Sequence, residues 1–264
     1  MGIWKVKVKK GQKSLDAISS HIKGYCNNGR DFIVDHKRDT HGIIHMGKWT
    51  VVTRSISKIK FSIKKSEIVS LFSRVTKSVN KHIVENDFFI EEIKQLHTSS
   101  KIDRIKYAEM KEGEVFFYID VNHCFWRIAY LFGYLTPRLY DEVLKKDKFK
   151  TYRNMALACI VAPRSRDYYV NGVKLITITE DKTLHKRIYD NIRYASYNLM
   201  GDIFEYTKEY CIGYRTDGIM IKTIEAVEAV KDILTENNLD FTVVECTKVN
   251  NKEFIFGEKG IKKM

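Results

Sequence analysis

Apolar and polar residues recur with two different periods along this chain, and each period predicts a different kind of element. In residues 65–97 and 182–210 the apolar positions are spaced by three and four, which is typical of amphipathic helices. In residues 3–9 and 173–179 they alternate with polar residues, which is typical of strands with one solvent-facing side. The pattern therefore predicts a chain in which helices and strands are interspersed.

The predicted elements form two blocks with different orders. The first block contains strands and two helices, predicted at residues 3–9, 14–24, 31–35, 42–46, 49–56 and 65–97. The second contains a strand, a pair of helices, a further strand, a long helix, a hairpin, a helix and two closing strands, predicted at residues 114–121, 123–134, 138–159, 173–179, 182–210, 210–215, 218–223, 224–237, 241–247 and 252–256. Helices interspersed with hairpins favour an α+β fold built on antiparallel sheet.

Charge divides the chain at about the same place. Among its 264 residues, the first 110 hold 22 Lys/Arg against 11 Asp/Glu, whereas residues 111–264 hold 24 against 22. We therefore predict a basic, nucleic-acid-binding region at 1–110 and a second domain at 111–264. The alternative interpretation of the basic half is a solvated surface that keeps the protein soluble.

The cysteines and the apolar runs place limits on location. The five cysteines form no C-x-x-C pair, which favours reduced thiols in an intracellular protein. The segment 1–5 has no apolar signal-peptide core, and no run approaches about 20 apolar residues. These features predict a cytoplasmic protein that does not span a membrane.

Two aspartates stand where paired carboxylates could act together. Asp120 ends the apolar run of a predicted strand, and Asp217 lies at the tip of a predicted hairpin. Carboxylates at the ends of adjacent strands can hold the two divalent ions of nucleotidyl transfer, roughly 3.5–4 Å apart. Either aspartate alone is more often a cap or turn residue.

A second acidic and histidine-rich segment offers a competing metal site. Six Asp and His residues lie within 15 positions, namely Asp31, Asp35, His36, Asp39, His41 and His45. They could bind a metal for a nuclease. Their spacing matches no known ligand pattern, and the segment alternates like exposed hairpins.

Three short patterns occur in a characteristic order. The first is Asp120-Val121-Asn122 with an aromatic at Phe125, and the second is Lys150 four residues before Asn154. The third is Thr216-Asp217-Gly218 between two apolar runs. Together they resemble the three polymerase motifs of family B DNA polymerases, over about residues 112–256. The resemblance implies a palm-like antiparallel sheet with helices on one face and a short, fingers-like helical hairpin at 123–159.

The resemblance also implies roles for individual residues. It assigns metal binding to Asp120, the backbone carbonyl of Val121, and Asp217. It assigns the sugar-selecting position to Phe125, triphosphate contact to Lys150 and the nascent base pair to Asn154.

Two further positions complete the comparison with the family. Lys248 and Lys252 resemble a region that grips the primer-end duplex. Arg215 stands where the family has another aspartate, and it could repel a metal or clamp a phosphate.

The expected function is therefore template-directed nucleotidyl transfer with Mg²⁺ or Mn²⁺. The expected partners are DNA, with RNA as an alternative, and nucleoside triphosphates. Compact enzymes of this kind suggest DNA replication in a virus or mobile element, in host cytoplasm or nucleoid. Two alternatives stay open: a non-catalytic nucleic-acid-binding protein on a decayed palm, and one subunit of a split polymerase whose thumb or exonuclease is on a partner protein.

Overall fold

A computed structural model describes residues 14–37, 40–45, 48–53, 65–86, 90–162 and 164–263. The strand predicted at 3–9 lies outside these residues. The helices are α1 Ser14–Asn27, α2 Lys65–Asn86, α3 Arg104–Glu109, α4 Cys124–Leu131, α5 Pro137–Leu144, α6 Tyr152–Ala158, α7 Thr183–Tyr206 and α8 Ile224–Glu236. The strands are β1 Phe32–Lys37, β2 Thr40–His45, β3 Lys48–Thr53, β4 Ser100–Ile102, β5 Val115–Val121, β6 Arg164–Val170, β7 Val173–Thr179, β8 Cys211–Arg215, β9 Gly218–Ile221, β10 Phe241–Lys248, β11 Glu253–Phe256 and β12 Ile261–Lys263.

The chain divides into two compact units that differ from the predicted domains. The first unit contains Met1–Ser73 and Ala158–Lys186, and the second contains Arg74–Leu157 and Arg187–Met264. The predicted boundary at residue 110 does not coincide with this division. The reason is that β6 pairs with β1 and β7 pairs with β6, so a late segment of the chain completes the sheet of the first unit.

The first unit is an antiparallel sheet packed against α1. Its five strands have the order β3-β2-β1-β6-β7. Ile18 of α1 is buried with Phe32, Val34 and Ile43 of the sheet. Phe32 also stacks on Tyr169 of β6, with ring centroids 4.3 Å apart.

The second unit is built on a seven-stranded sheet with the order β12-β11-β10-β5-β9-β8-β4. Every neighbouring pair is antiparallel, so the expected α+β fold with antiparallel sheet is confirmed. The core on one face consists of α3 and sheet residues: Tyr107, Met110, Phe116, Ile212, Met220, Cys246, Phe254 and Phe256. Helix α8 packs against the central strands β5 and β9.

The helix predicted over 138–159 is interrupted. The Thr136 side chain caps α5 and Pro137 occupies its first turn, which confirms the predicted turn. Beyond α5 the chain forms a 3₁₀ turn, Asp147–Phe149, before α6 begins. Arg153 Nη2 donates to the backbone oxygens of Val143 and Leu144, which lie at the C-terminal end of α5. This side chain satisfies carbonyls that a continuous helix would have satisfied with its own N–H groups.

The helix predicted over 65–97 is too long, because α2 ends at Asn86. Residues 90–97 are instead non-helical and bind side chains of α7. Asn191 accepts from Ile93 N at 2.8 Å and donates to the Glu91 oxygen at 2.7 Å. Asn198 accepts from Leu96 N at 2.9 Å. These amide side chains replace the hydrogen bonds that another turn of helix would make.

Two further expectations concern cysteines and membranes. All five cysteines are free thiols. In the described stretches of the chain, none of the helices combines the length and apolar character that crossing a membrane requires.

Candidate functional site

Asp120 and Asp217 lie at the ends of neighbouring strands in the second unit. Strand β5 pairs antiparallel with β9, and the register places Asp120 opposite Gly218. Asp217 directly precedes Gly218 in the turn between β8 and β9. The backbone N–H of Val121 donates to the Asp217 backbone oxygen at 2.7 Å, which ties the two strand ends together. The predicted neighbourhood of the two aspartates is confirmed.

The glycine after Asp217 is closely packed against Tyr118. A Cβ atom built on Gly218 would collide with the Tyr118 hydroxyl and ring. Tyr118 comes from β5, two residues before Asp120, so its ring lies across the hairpin at the same end of the sheet. Any larger residue at this position would therefore force the Tyr118 side chain to move.

The two aspartates line one cavity of about 190 Å³. Of the residues predicted from the sequence, it brings together Asp120, Val121, Phe125, Lys150, Asn154 and Asp217. The remaining lining residues are Asn122, His123, Cys124, Trp126 and Arg153. Carboxylates on one side and basic side chains on the other give the cavity a mixed charge, which suits a cation bound together with an anion.

The carboxylates are held in an environment that disfavours their charge. Burial raises the pKa of Asp120, and the neighbouring Asp217 raises it further, while Lys262, Lys259 and Lys150 act in the opposite direction. Burial also raises the pKa of Asp217, against a hydrogen bond from its own backbone N–H. In the described part of the chain neither carboxylate forms an ion pair. A bound cation would therefore stabilise the charged form of both carboxylates.

The donor set fits a Mg²⁺ ion that shares its ligands with a substrate. Among the described residues, three or more His, Cys, Asp and Glu side chains do not converge anywhere as a metal-binding group. Mg²⁺ is usually bound by one or two carboxylates, with substrate phosphates and waters completing its shell. Asp120 and Asp217 would supply those two carboxylates if the cavity holds such an ion, and a complete protein cage would not be required.

Arg215 does not neutralise the aspartates. Its Nη2 donates to the backbone oxygen of Lys263 in β12, at 3.0 Å. Within the described residues it forms no ion pair with Asp120 or Asp217. The guanidinium therefore fastens the C-terminal strand rather than closing the space between the two carboxylates.

The opposite wall of the cavity combines a buried arginine with exposed polar side chains. Arg153 is 2% exposed, and its Nη1 lies 2.8 Å from Nδ1 of His123. Since it is enclosed, Arg153 holds the loop in place and does not face solvent. Lys150 and Asn154 are exposed and free to contact a ligand. Lys150 lies just before α6, so the two are not on one continuous helix as predicted.

His123 links the Asp120 strand to this wall. Its backbone is left-handed, with a φ of 55°, a conformation that non-glycine residues seldom adopt. Burial lowers the pKa of His123, and the nearby Arg153 and Lys150 lower it further. A neutral imidazole can accept from Arg153, so the strained turn is held by that contact.

The two aromatic residues that follow differ in their surroundings. Phe125 is half-buried and lines the cavity. Its ring contacts that of Tyr197 edge-on, with ring centroids 6.5 Å apart. Trp126 is completely buried, which is the ordinary role of a core side chain. The geometry leaves Phe125 available at the cavity as the resemblance implies.

Lys248 is the clearest error among the predicted nucleic-acid contacts. It is 3% exposed, and its ammonium group donates to the backbone oxygens of Tyr107, Ala108 and Met110 at the end of α3. These carbonyls have no helical partners, which explains why a lysine is buried there. Lys252 is exposed in the turn between β10 and β11, so its predicted contact with nucleic acid stays a prediction.

The sequence reasoning missed two lysines near Asp120. Lys259 and Lys262 lie in the last hairpin of the chain and lower the pKa of Asp120. Their only sequence signal is the lysine-rich segment 259–263, which carries no family motif.

The competing metal cluster in the first unit is occupied by internal contacts. Asp35 accepts from Arg164 Nε at 2.8 Å and Nη2 at 2.7 Å, and His36 Nε2 lies 2.8 Å from Asp167. Asp31 accepts from the backbone N–H of Asn171. Asp39 and the side chains of His41 and His45 lie outside the described part. The described members of the cluster therefore serve the sheet rather than a metal.

Comparison with known proteins adds no relative to this picture. None of the protein-family models that were scanned matches the chain, and a search of curated proteins finds no match either.

Proposed function

We propose that this protein is a template-directed nucleotidyltransferase of the DNA polymerase type, with its palm in the second unit. The observation that carries the proposal is the pair Asp120 and Asp217, which line one cavity from β5 and from the β8–β9 turn and have no ion-pair partners in the described chain. Lys150 and Asn154 line the same cavity. The resemblance to family B polymerases assigns the same residues to the same site.

In this proposal, one wall of the cavity holds the metal and the other contacts the nucleotide. Asp120, Asp217 and the carbonyl of Val121 would hold the metal. Bound Mg²⁺ would supply charge for the triphosphate and would favour loss of the proton from the primer hydroxyl. Lys150 binds phosphate oxygens as a mobile point charge. Asn154 contacts the base, and the Phe125 ring excludes a 2′-hydroxyl by its bulk.

Electrostatics give this arrangement a preference for metal and polyphosphate together. Two half-buried carboxylates repel each other, so a divalent cation relieves a cost already present in the folded protein. A polyphosphate alone would meet two negative charges beside Lys150. A polyphosphate that carries its own divalent ion would meet matching charges on both walls.

Substitution of the aspartates tests the proposal in a primer-extension assay. Asp120→Asn and Asp217→Asn keep the shape of the side chain and remove its charge. We expect incorporation to fall about a thousandfold or more, because metal-based stabilisation is worth several kcal/mol. Asp240→Asn is a matched control, since Asp240 directly precedes β10 and contributes its backbone oxygen to Asn122. Extension retained by both Asp120→Asn and Asp217→Asn would exclude the site.

A second candidate function is nucleic-acid binding without chemistry. The observation that favours it is a groove of about 420 Å³ between α2 and α5, lined by the basic residues Arg74, Lys77, Lys81 and Arg138. Glu142 also lines it and is engaged by both terminal nitrogens of Arg74, at 3.1 and 2.7 Å. Such a groove could bind phosphates independently of the aspartates. Wild-type protein that shifts DNA or RNA but extends no primer, alone or with a partner subunit, would favour this function.

A further inference from the structure

The last hairpin of the chain returns to the site. Strands β11 and β12 are joined by a tight turn in which Gly257 and Gly260 have φ values of 47° and 83°. Strands β9, β5, β10 and β11 lie between β8 and β12 in the sheet order. Arg215 of β8 nevertheless reaches the Lys263 backbone oxygen in β12. The sheet must therefore curl so that its two sides approach each other.

Asp120 shares a face of this curled sheet with the hairpin. Phe116, Tyr118 and Asp120 alternate along β5 and therefore point to the same side. Tyr118 contacts Phe256 of β11, with ring centroids 5.4 Å apart. Lys262 places its Nζ 3.4 Å from the centre of the Phe256 ring.

Lys259 lies beside the same ring. Its Nζ is 5.5 Å from the Phe256 centroid. Both lysines lower the pKa of Asp120, so their charges act at the end of β5. Aromatic contact limits where the two ammonium groups can lie, and cation–π attraction helps to hold them there.

The two ammonium groups are free to bind an anion. Within the described residues, neither Lys259 nor Lys262 forms an ion pair with an acidic side chain. Both residues are exposed. Neither of them lines the cavity that holds Lys150 and Asn154. An anion bound by the hairpin is therefore distinct from one bound inside the cavity.

We propose that Lys259 and Lys262 clamp the phosphodiester backbone of the nucleic-acid strand whose end lies at Asp120. The assignment rests on the proposed function, because it takes the strand end to be at the aspartates. Two cations that contact one ring, beside Asp120 but outside the cavity, can each bind a phosphate of a nucleic-acid strand that leads away from the site. The hairpin thus performs the gripping role that the resemblance had assigned to Lys248 and Lys252.

Arg215 acts as a positioning residue for this clamp. Arg215 contacts the backbone of β12 rather than the nucleic acid. This hydrogen bond holds the β-strand that carries Lys262. Lysine at this position retains a donor for the Lys263 oxygen, whereas aspartate can only accept. We therefore expect Arg215→Lys to preserve much of the strand affinity and Arg215→Asp to lose it, although aspartate restores the residue of the family motif.

Strand affinity is measured with a fluorescein-labelled primer–template duplex in EDTA without nucleotide. We expect the double variant Lys259→Ala/Lys262→Ala to reduce the salt slope of log affinity by about 0.9 per lysine. At about 0.1 M salt this corresponds to roughly eightfold weaker binding per lysine. Lys222→Ala is the matched control. Lys222 directly follows β9, at the end of that strand away from Asp217. Thermal unfolding of each variant shows that it is folded.

The outcomes separate this inference from the proposed function. Weakened duplex binding with an unchanged control supports the clamp. Wild-type-like binding and extension by the double variant would overturn the clamp and leave the polymerase proposal standing. Unchanged duplex affinity with weaker binding of inorganic pyrophosphate would overturn the assignment to the strand. A wild-type protein that neither binds duplex nor extends primers would overturn both.

Discussion

Each unit carries two aspartates on or beside neighbouring antiparallel strands, and the two units treat these carboxylates in opposite ways. The pair of the first unit points to opposite faces of its sheet, whereas the pair of the second unit lines one cavity. In the first unit, Asp35 and Asp167 lie on the neighbouring strands β1 and β6. In the second, Asp120 and Asp217 lie at the joined ends of β5 and β9. Both pairs consist of carboxylates on or beside neighbouring strands, but the two pairs differ in the partners that the protein gives them.

Each carboxylate of the first pair is satisfied by the protein itself. Asp35 is buried against the guanidinium of Arg164. Burial alone would raise the pKa of Asp167, but hydrogen bonds from Lys174, Thr177 and His36 outweigh it and lower the pKa to about 2. These contacts complete the sheet and leave little for a ligand to do.

The second pair lacks such partners within the described chain, and burial and mutual repulsion raise the pKa of Asp120. Shifted pKa values cluster at functional sites, which makes this pair a candidate for one. The comparison teaches that aspartates on neighbouring strands serve the structure where the protein neutralises them, and are candidates for a functional site where it leaves them without partners.

The largest expected effect on stability concerns the neutralised pair. Asp35→Ala leaves the Arg164 guanidinium without its main partner in a largely buried position. Removing one member of a buried ion pair costs about 3–5 kcal/mol, and we expect the lower end because Arg164 is partly exposed. Urea unfolding monitored by circular dichroism gives the free energy of unfolding. A loss below about 1 kcal/mol would show that Asp35 is not a structural carboxylate.

The opposite effect is expected at the second pair. Because the folded pKa of Asp120 is raised above the unfolded value of about 3.9, ionisation costs folding free energy as the pH rises through the folded pKa. Asp120→Asn removes this cost and should raise the free energy of unfolding at neutral pH. The gain should disappear below about pH 3.9, where both states are protonated. Unfolding curves across pH test this, and a less stable variant at neutral pH would contradict it.

The smallest effect is a difference in titration without any mutation. Carbon-13 NMR of the carboxyl groups should show Asp167 titrating near pH 2. Asp120 and Asp217 should titrate above the ordinary aspartate value, and their titrations should be coupled. If all of these carboxyls titrated together, the contrast between the two units would not hold.

The sequence predicted the second pair because its signals are local. An apolar run that ends in Asp120 indicates a strand end, and a polar turn between two apolar runs indicates the hairpin of Asp217. The pairing of β5 with β9 joins residues about 100 positions apart, and this part of the expectation followed from the resemblance rather than from a local signal. The Phe125 and Asn154 positions followed from the resemblance and lie at the same cavity.

The errors arose where distant residues decide the structure. The pairing of β1 with β6 joins residues about 130 positions apart, and no local pattern marks it. The apolar periodicity predicted one helix over 138–159, but the helix is interrupted. The Arg153 guanidinium donates to the backbone oxygens at the end of α5. Lys248 looked like a surface cation, yet the carbonyls at the end of α3 enclose it. The curl that brings Lys262 to the Asp120 face is likewise set by contacts across the sheet.

The most direct test of the central claim is the location of bound Mn²⁺ by anomalous diffraction, with a nucleoside triphosphate present. The account predicts an anomalous peak within coordination distance of both Asp120 and Asp217, and no such peak at Asp35 and Asp167. The Asp217→Asn protein should lose or weaken the peak under the same conditions. A peak at the first unit's pair, or none at Asp120 and Asp217 with the nucleotide bound, would contradict the account.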